Sequence, residues 1–296
     1  RSGKPRFKTE ASFRTITFAS AKDDWIKLVR NEWFYLRLPK LGVVKVRMHR
    51  PLPAGFKLKQ VSVTKKADGW YMQLTMEDTS VPEFNPDAII PTWENSMGLD
   101  AVLQGDDYLA TSNGEKLPSL KPLRKNQVKS AKISKKKQKR QRGTKRRRKL
   151  GLREAKQHQK IARSRKDFQY KTAYKLVNTG TKVFFHEKLN LQGLSKRNAP
   201  KQDSDGKYLP NGQSASGLNK SWMDAAFGQF FGILAYIAEK AGAVVIPQNP
   251  AYTSQVLSYR NEIVFTDTDI REYWDETEML KVDREINASI NLKRLG

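Results

Sequence analysis

The chain has 296 residues, a formal charge of +26 and no cysteine. That length suits one large or two ordinary domains, and the missing cysteines exclude a disulfide framework and any thiolate metal site. No apolar run approaches the roughly 20 residues of a membrane span, and no signal-peptide core opens the chain, so a soluble, cytoplasmic protein is expected.

In chain order, residues 1 to 90 carry β patterning. Segments 12–19, 25–29, 33–38 and 43–48 are rich in β-branched and aromatic residues, and 58–64 and 70–76 flank an Asp68-Gly69 turn signal. Short strands at such spacing predict a small barrel, left partial by strands that would precede Arg1. Trp70 and Tyr71 are expected to pack in it. Residues 81–93, with three prolines, read as a linker. Strands are then expected at 96–102 and 108–112, and Asn113-Gly114 turns the chain into a third.

Between positions 116 and 153 stand eighteen Lys or Arg and no acid. A polyanion is the fitting partner, nucleic acid first, because each neutralised phosphate releases condensed counterions. Within this segment, Lys135, Lys136, Lys137, Lys139, Arg140, Arg142, Lys145, Arg146, Arg147, Arg148 and Lys149 are the candidate backbone contacts. They give affinity without base-specific information. The segment belongs to a basic helical insertion, 116–177, with a helix from about Arg153 to Val177.

Residues 182–186 predict a short strand ending in Glu187. A loop rich in Gly, Ser and Asn covers 193–217, after which Ser221 and Asp224 resemble a capping box opening a helix. Phe227, Phe230, Phe231, Leu234, Ile237 and Ala238 trace the buried face of that helix, and Gly242 ends it. A strand at 243–246 and a helix at 283–294 close the chain. Three strands, then helix, strand, helix, strand and helix, is the order of an RNase H-like domain. In that order Asp100, Glu187 and the Asp283/Glu285 pair fall where three acids can converge on one sheet edge. Converging carboxylates suit a pair of Mg²⁺ ions, which phosphodiester hydrolysis can use.

Met97-Gly98-Leu99-Asp100 with Leu109-Ala110-Thr111-Ser112-Asn113-Gly114, Phe184-Phe185-His186-Glu187-Lys188-Leu189-Asn190, and Asp283-Arg284-Glu285-Ile286-Asn287-Ala288 resemble the three RuvC motifs of the transposon-encoded TnpB family. Asn249-Pro250-Ala251-Tyr252-Thr253-Ser254-Gln255 resembles its lead-in to a zinc ribbon. Gly3-Lys4-Pro5-Arg6-Phe7-Lys8 and Leu38-Pro39-Lys40-Leu41-Gly42 resemble its wedge-like barrel. The resemblance implies an α/β protein: a partial wedge-like β-barrel over 1–90, then an RNase H-like RuvC nuclease domain over 91–296. It also implies an Mg²⁺-dependent, RNA-guided DNA endonuclease, with a guide RNA and a DNA target as partners and an association with a transposase and the nucleoid. Asp100, Glu187 and Glu285 would be the catalytic metal ligands, with Asp283 as the alternate third.

Two departures set the alternatives. The family's third motif places Asp where Glu285 stands, and Glu is one methylene longer. The family's two Cys-x-x-Cys pairs fall on Leu257 and Arg260 and near Trp274 and Thr277, so no zinc is expected and 256–281 is a degenerate ribbon. From Glu262 to Glu285, nine acids face three bases. This stretch is expected to pack, where it packs, through Ile263, Phe265, Tyr273 and Trp274, and residues 258–281 to be the least ordered part of the nuclease domain apart from 193–217. The competing reading is a non-cleaving, RNA-guided DNA-binding relative.

Overall fold

The computed structural model describes residues 13–30, 32–103, 105–190, 193, 204, 205, 213–267 and 269–296. The chain divides into two units, Arg1–Glu83 and Phe84–Gly296, so the division falls inside the proline-bearing linker. The Gly3–Lys8 match lies outside the described residues.

The first unit holds two three-stranded antiparallel sheets. One pairs β2 (Ile26–Arg30), β3 (Trp33–Leu38) and β4 (Gly42–Arg47); the other pairs β1 (Thr15–Phe18), β5 (Lys57–Lys66) and β6 (Gly69–Glu77). The period-2 alternation of β3 explains the core. Phe34, Leu36 and Leu38 turn inward to meet Ala21, Leu58 and Val61, while Trp33 faces out with Lys45 Nζ 4.4 Å from its ring. No closed barrel forms among the described residues. The hairpin turn sits one residue earlier than Asp68-Gly69, because Lys66 pairs with Gly69 around Ala67 and Asp68. Trp70 and Tyr71 therefore stand at the hairpin tip, 64% and 37% exposed, rather than packed inside.

The second unit is built on a five-stranded sheet. Strands β7 (Ser96–Ala101), β8 (Asp107–Thr111) and β9 (Lys116–Pro118) form an antiparallel meander, and β10 (Val183–Glu187) and β11 (Val244–Gln248) add in parallel beside β7. The spatial order β11-β10-β7-β8-β9 is the RNase H-like arrangement. Met97, Leu99 and Phe184 face α2 (Lys145–Val177) and α4 (Phe227–Lys240) in one core, which includes Ala173, Leu176, Phe230 and Leu234. The alternate residues Ser96, Gly98 and Asp100 face the other way, toward α5 (Arg284–Leu295).

Helix α5 lies very close to β7. A Cβ on Gly98 would fall 1.8 Å from the Ser289 carbonyl oxygen and 3.0 Å from Lys293 N. Glycine is required here by approach, not by backbone angle.

The basic segment forms a helical hairpin. Helix α1 (Pro122–Gln138) precedes α2, whose start at Lys145 is capped by Thr144, eight residues ahead of the expected helix start. Basic residues without apolar periodicity hid α1 and the first turns of α2 from the sequence. The first residues of the expected insertion, 116–118, belong to the central sheet.

Ser221 and Asp224 do not open α4. They lie within α3 (Gln213–Ala225), which also takes the last residues of the expected 193–217 loop, and Ala226 in a left-handed conformation separates α3 from α4. The Asp224 carboxylate caps a different helix, accepting from Leu123 N at 2.9 Å and Arg124 N at 3.0 Å at the start of α1. A capping side chain from a distant segment looks local in sequence.

Residues 256–283 are folded without thiolates. Strands β12 (Glu272–Asp275) and β13 (Leu280–Asp283) pair antiparallel, and Leu257, Phe265 and Val282 make a small core with Tyr273 against it. Ile263 and Trp274, expected to pack, are more than half exposed. Buried Asp275 accepts from Tyr259 Oη at 2.6 Å and from Thr277 N at 3.0 Å, and pairs with Arg260 at 2.8 Å. This knot ties Asp275 to both Tyr259 and Arg260 within the acid-rich segment. Helix α5 adds a clamp: Asn287 accepts from Ser258 N and donates to Val256 O, and Asn291 donates to Thr253 O.

Gly98→Ala is expected to lower unfolding free energy by about 1–3 kcal/mol, since backbone rather than a flexible side chain must yield. Gly151→Ala on α2, with nothing within 4 Å, should instead raise it by roughly 0.5–1 kcal/mol. Urea denaturation of the two variants tests the contrast.

Candidate active site

Strand parity and register create the site. Leu99 pairs with His186 across the parallel β7 and β10 strands, so the next step sets Glu187 beside Asp100. Phe184 and His186 belong to the α4 face, where His186 stacks on Phe231 at 3.8 Å. Phe185 and Glu187 must then share the α5 face with Asp100. Glu285, in the first turn of α5, meets them there.

Asp100, Glu187 and Glu285 line one cavity of about 340 Å³ with Leu189, Trp222 and Arg271. Asp100 and Glu285 are buried. Burial pushes the Asp100 carboxyl well above its usual range, and the charges of Glu187 and Glu285 push it the same way. Burial also raises Glu187, whose carboxyl lies within hydrogen-bonding reach of Asp100. His186 donates from Nδ1 to the Glu187 carbonyl at 2.8 Å, and burial depresses its pKa. It is a structural histidine that fixes the strand end.

Asp283 and Glu285 do different jobs. Asp283 is the N-cap of α5, accepting at Oδ1 from Glu285 N and Ile286 N, both at 3.1 Å. Its Oδ2 accepts from Lys116 Nζ at 2.5 Å. Burial alone would lower the Lys116 pKa, but the hydrogen bond to Asp283 and the nearby Glu285 and Asp107 hold it above its usual range. Glu285 is the inward acid of the pair.

Its carboxylate is engaged by cations: Arg271 Nη1 donates to Oε1 at 2.6 Å, and Lys116 Nζ lies 3.7 Å from Oε2. Among the described residues, no three His, Cys, Asp or Glu side chains are drawn together tightly enough to ligate one metal ion. Sequence reasoning missed Arg271 and Lys116. The available signal was Arg271 itself, one of three bases among nine acids between Glu262 and Glu285.

The basic hairpin separates into two kinds of residue. Lys135, Lys136, Lys139, Arg140, Arg142, Lys145, Arg146, Arg148 and Lys149 are exposed. Arg147 and Lys137 are committed inward. Arg147 donates to the Lys137 and Arg140 carbonyls, closing the turn between the helices, and Lys137 pairs with Glu154. A further stripe went unnoticed in sequence. Exposed Lys125, Lys129, Lys132 and Lys136 recur along one face of α1 beside Val128, Ile133 and Leu150, bordering a groove of about 410 Å³.

Comparison with known proteins follows the same geography. Residues 93–198 match the OrfB_IS605 family, described as a probable transposase, and residues 227–292 match the Cas12f1-like TNB domain. Between them these matches take in β7 through β10 with the basic hairpin, and then α4, β11, the 256–283 segment and most of α5.

These two matches, each over less than half of the chain, support a TnpB-family protein.

The chain is 28% identical over 223 residues to an Escherichia coli K12 protein named "Putative RNA-guided DNA endonuclease InsQ". That alignment takes in 75% of this chain and 52% of the relative. It is 25% identical over 257 residues to a Streptomyces pristinaespiralis protein named "Putative RNA-guided DNA endonuclease", covering 85% of this chain and 56% of that one. The chain thus spans about half the length of these curated relatives. The fold is similar to a solved Cas12f1–sgRNA–target DNA complex, with a TM-score of 0.51 at 11% identity over 94% of this chain and 59% of that one. No helix among the described residues is long and apolar enough to cross a membrane.

Proposed function

We propose that this TnpB-family chain acts as a transposon-associated, RNA-guided DNA endonuclease that hydrolyses phosphodiesters with Mg²⁺. The observation that carries the proposal is the convergence of Asp100, Glu187 and Glu285 on one cavity by strand parity and the α5 approach. Three carboxylates, two of them buried, offer the hard oxygen donors that Mg²⁺ takes, and the burial and, after it, the mutual repulsion that raise Asp100 are what a bound divalent cation would offset. The donor chemistry therefore fits the metal, but the three carboxylates would have to draw closer together to hold it, since among the described residues no three such side chains stand close enough without it. Bound there, it would supply an activated water and neutralise developing phosphate charge.

The chain's own residues do the remaining work. Asp100 and Glu187, on adjacent parallel strands, are rigid donors, and Asp283 and Gly98 together fix the helix that delivers Glu285. The exposed lysines and arginines of the α1–α2 hairpin would hold phosphate backbone of the guide RNA and the DNA target. A link to a transposon-encoded transposase and to the nucleoid belongs to the same proposal. One observation favours the second reading, a DNA-binding relative that does not cleave: Arg271 and Lys116 already engage Glu285.

Cleavage of target plasmid by the purified chain with its guide transcript and Mg²⁺ separates the readings. Asp100→Asn, Glu187→Gln and Glu285→Gln should each reduce cleavage to background. Asp283→Asn, which keeps a capping side chain, should retain most of it. No cleavage by the unmodified chain under any guide would favour the second reading.

Binding to a duplex oligonucleotide tests the basic surface. Replacing Arg146, Arg148 and Lys149 with Gln should reduce the slope of log affinity against log salt by roughly 0.9 per lost phosphate contact. Arg147→Gln should lower the melting temperature and leave the slope nearly unchanged. The reverse pattern would show that these side chains have been assigned the wrong roles.

A further inference from the structure

We propose that Arg271 is a displaceable counter-ion of the carboxylate centre, competing with a divalent cation for Glu285. The proposal rests on the metal reading above and adds to it a built-in competitor supplied by the 256–283 segment.

The pairing has the features of an exchangeable contact. Glu285 has two oxygens, and Arg271 holds Oε1 at 2.6 Å while Lys116 stands 3.7 Å from Oε2. Lys116 is already committed to Asp283 at 2.5 Å, so Arg271 is the principal partner. The Arg271 side chain is 37% exposed, against 11% for Glu285, so the guanidinium can swing into solvent. Its backbone is held independently, because the Arg271 carbonyl accepts from Arg284 N at 2.9 Å. Releasing the guanidinium therefore leaves the start of β12 and the first turn of α5 in place.

The charge balance sets the direction. A guanidinium brings one positive charge and can only donate hydrogen bonds. A divalent cation brings two charges and can accept oxygens from Asp100, Glu187 and Glu285 together. The cation therefore displaces the arginine, but at reduced apparent affinity, because Glu285 must first be freed. The 256–283 segment thereby sets the metal concentration at which the centre assembles.

Mn²⁺ titration of the full chain, read by the electron paramagnetic resonance of free Mn²⁺, tests this without any cleavage assay. Arg271→Gln should bind Mn²⁺ about two- to fivefold more tightly, the range expected for removal of a partly exposed ion pair. Arg271→Lys should stay near the unmodified chain. Equal or weaker binding by Arg271→Gln, with Glu285→Gln still abolishing it, would overturn the competition and leave the metal reading intact. Unchanged binding by Glu285→Gln would overturn both. Should Arg271→Gln fail to fold, the ¹⁵N-labelled arginine side chains of the unmodified chain give the answer. The Arg271 Nη1–H signals should lose protection at saturating Mg²⁺, and retained protection would overturn the proposal.

Discussion

Helix α5 can lie against the central strand only because Gly98 has no side chain. The Ser289 carbonyl occupies the space a Cβ would need, and this contact sets how deeply the first turn of α5 reaches toward the end of β7. The rest follows from parity. Residues 97, 99 and 184 feed the core under α2 and α4, so 100 and 187 must emerge on the opposite face, where α5 presents Glu285. One close backbone approach and one two-residue period thus bring together three acids that are 87 and 98 positions apart in sequence. Asp283 completes the arrangement by capping α5, which keeps its own carboxylate out of the cavity.

The 256–283 segment extends this logic. Asn287 and Asn291, on the same helix that carries Glu285, clamp it through side-chain hydrogen bonds to backbone. The ion pair of Arg260 with buried Asp275, together with the Tyr259 hydroxyl, ties its two halves where the resemblance places cysteine pairs. Fixed at both ends, the segment can hold Arg271 over Glu285 while contributing no ligand of its own.

Much of this was legible in the sequence. Apolar runs and turn residues predict the five strands of the central sheet, and the aromatic periodicity of 227–238 predicts α4. The candidate acids also fall where the RNase H order places them. What was hidden had physical causes. Helix α1 and the start of α2 are too basic to show an apolar stripe, and Asp224 caps a helix about a hundred residues upstream. Trp70 and Tyr71 have strand-core composition but sit beyond the end of the core. Arg271 and Lys116 could not be assigned because ion pairs between distant segments leave no periodic trace. The choice between Asp283 and Glu285 needed the helix start itself, since positions i and i+2 diverge.

The account stands or falls on whether the three carboxylates form one cation centre. Crystals grown with Mn²⁺ and measured at its absorption edge test this directly. The account predicts anomalous density about 2–2.5 Å from carboxylate oxygens of Asp100, Glu187 and Glu285, with the Arg271 guanidinium turned away from Glu285. A cavity without anomalous density at saturating Mn²⁺, with Glu285 still paired to Arg271, would contradict it.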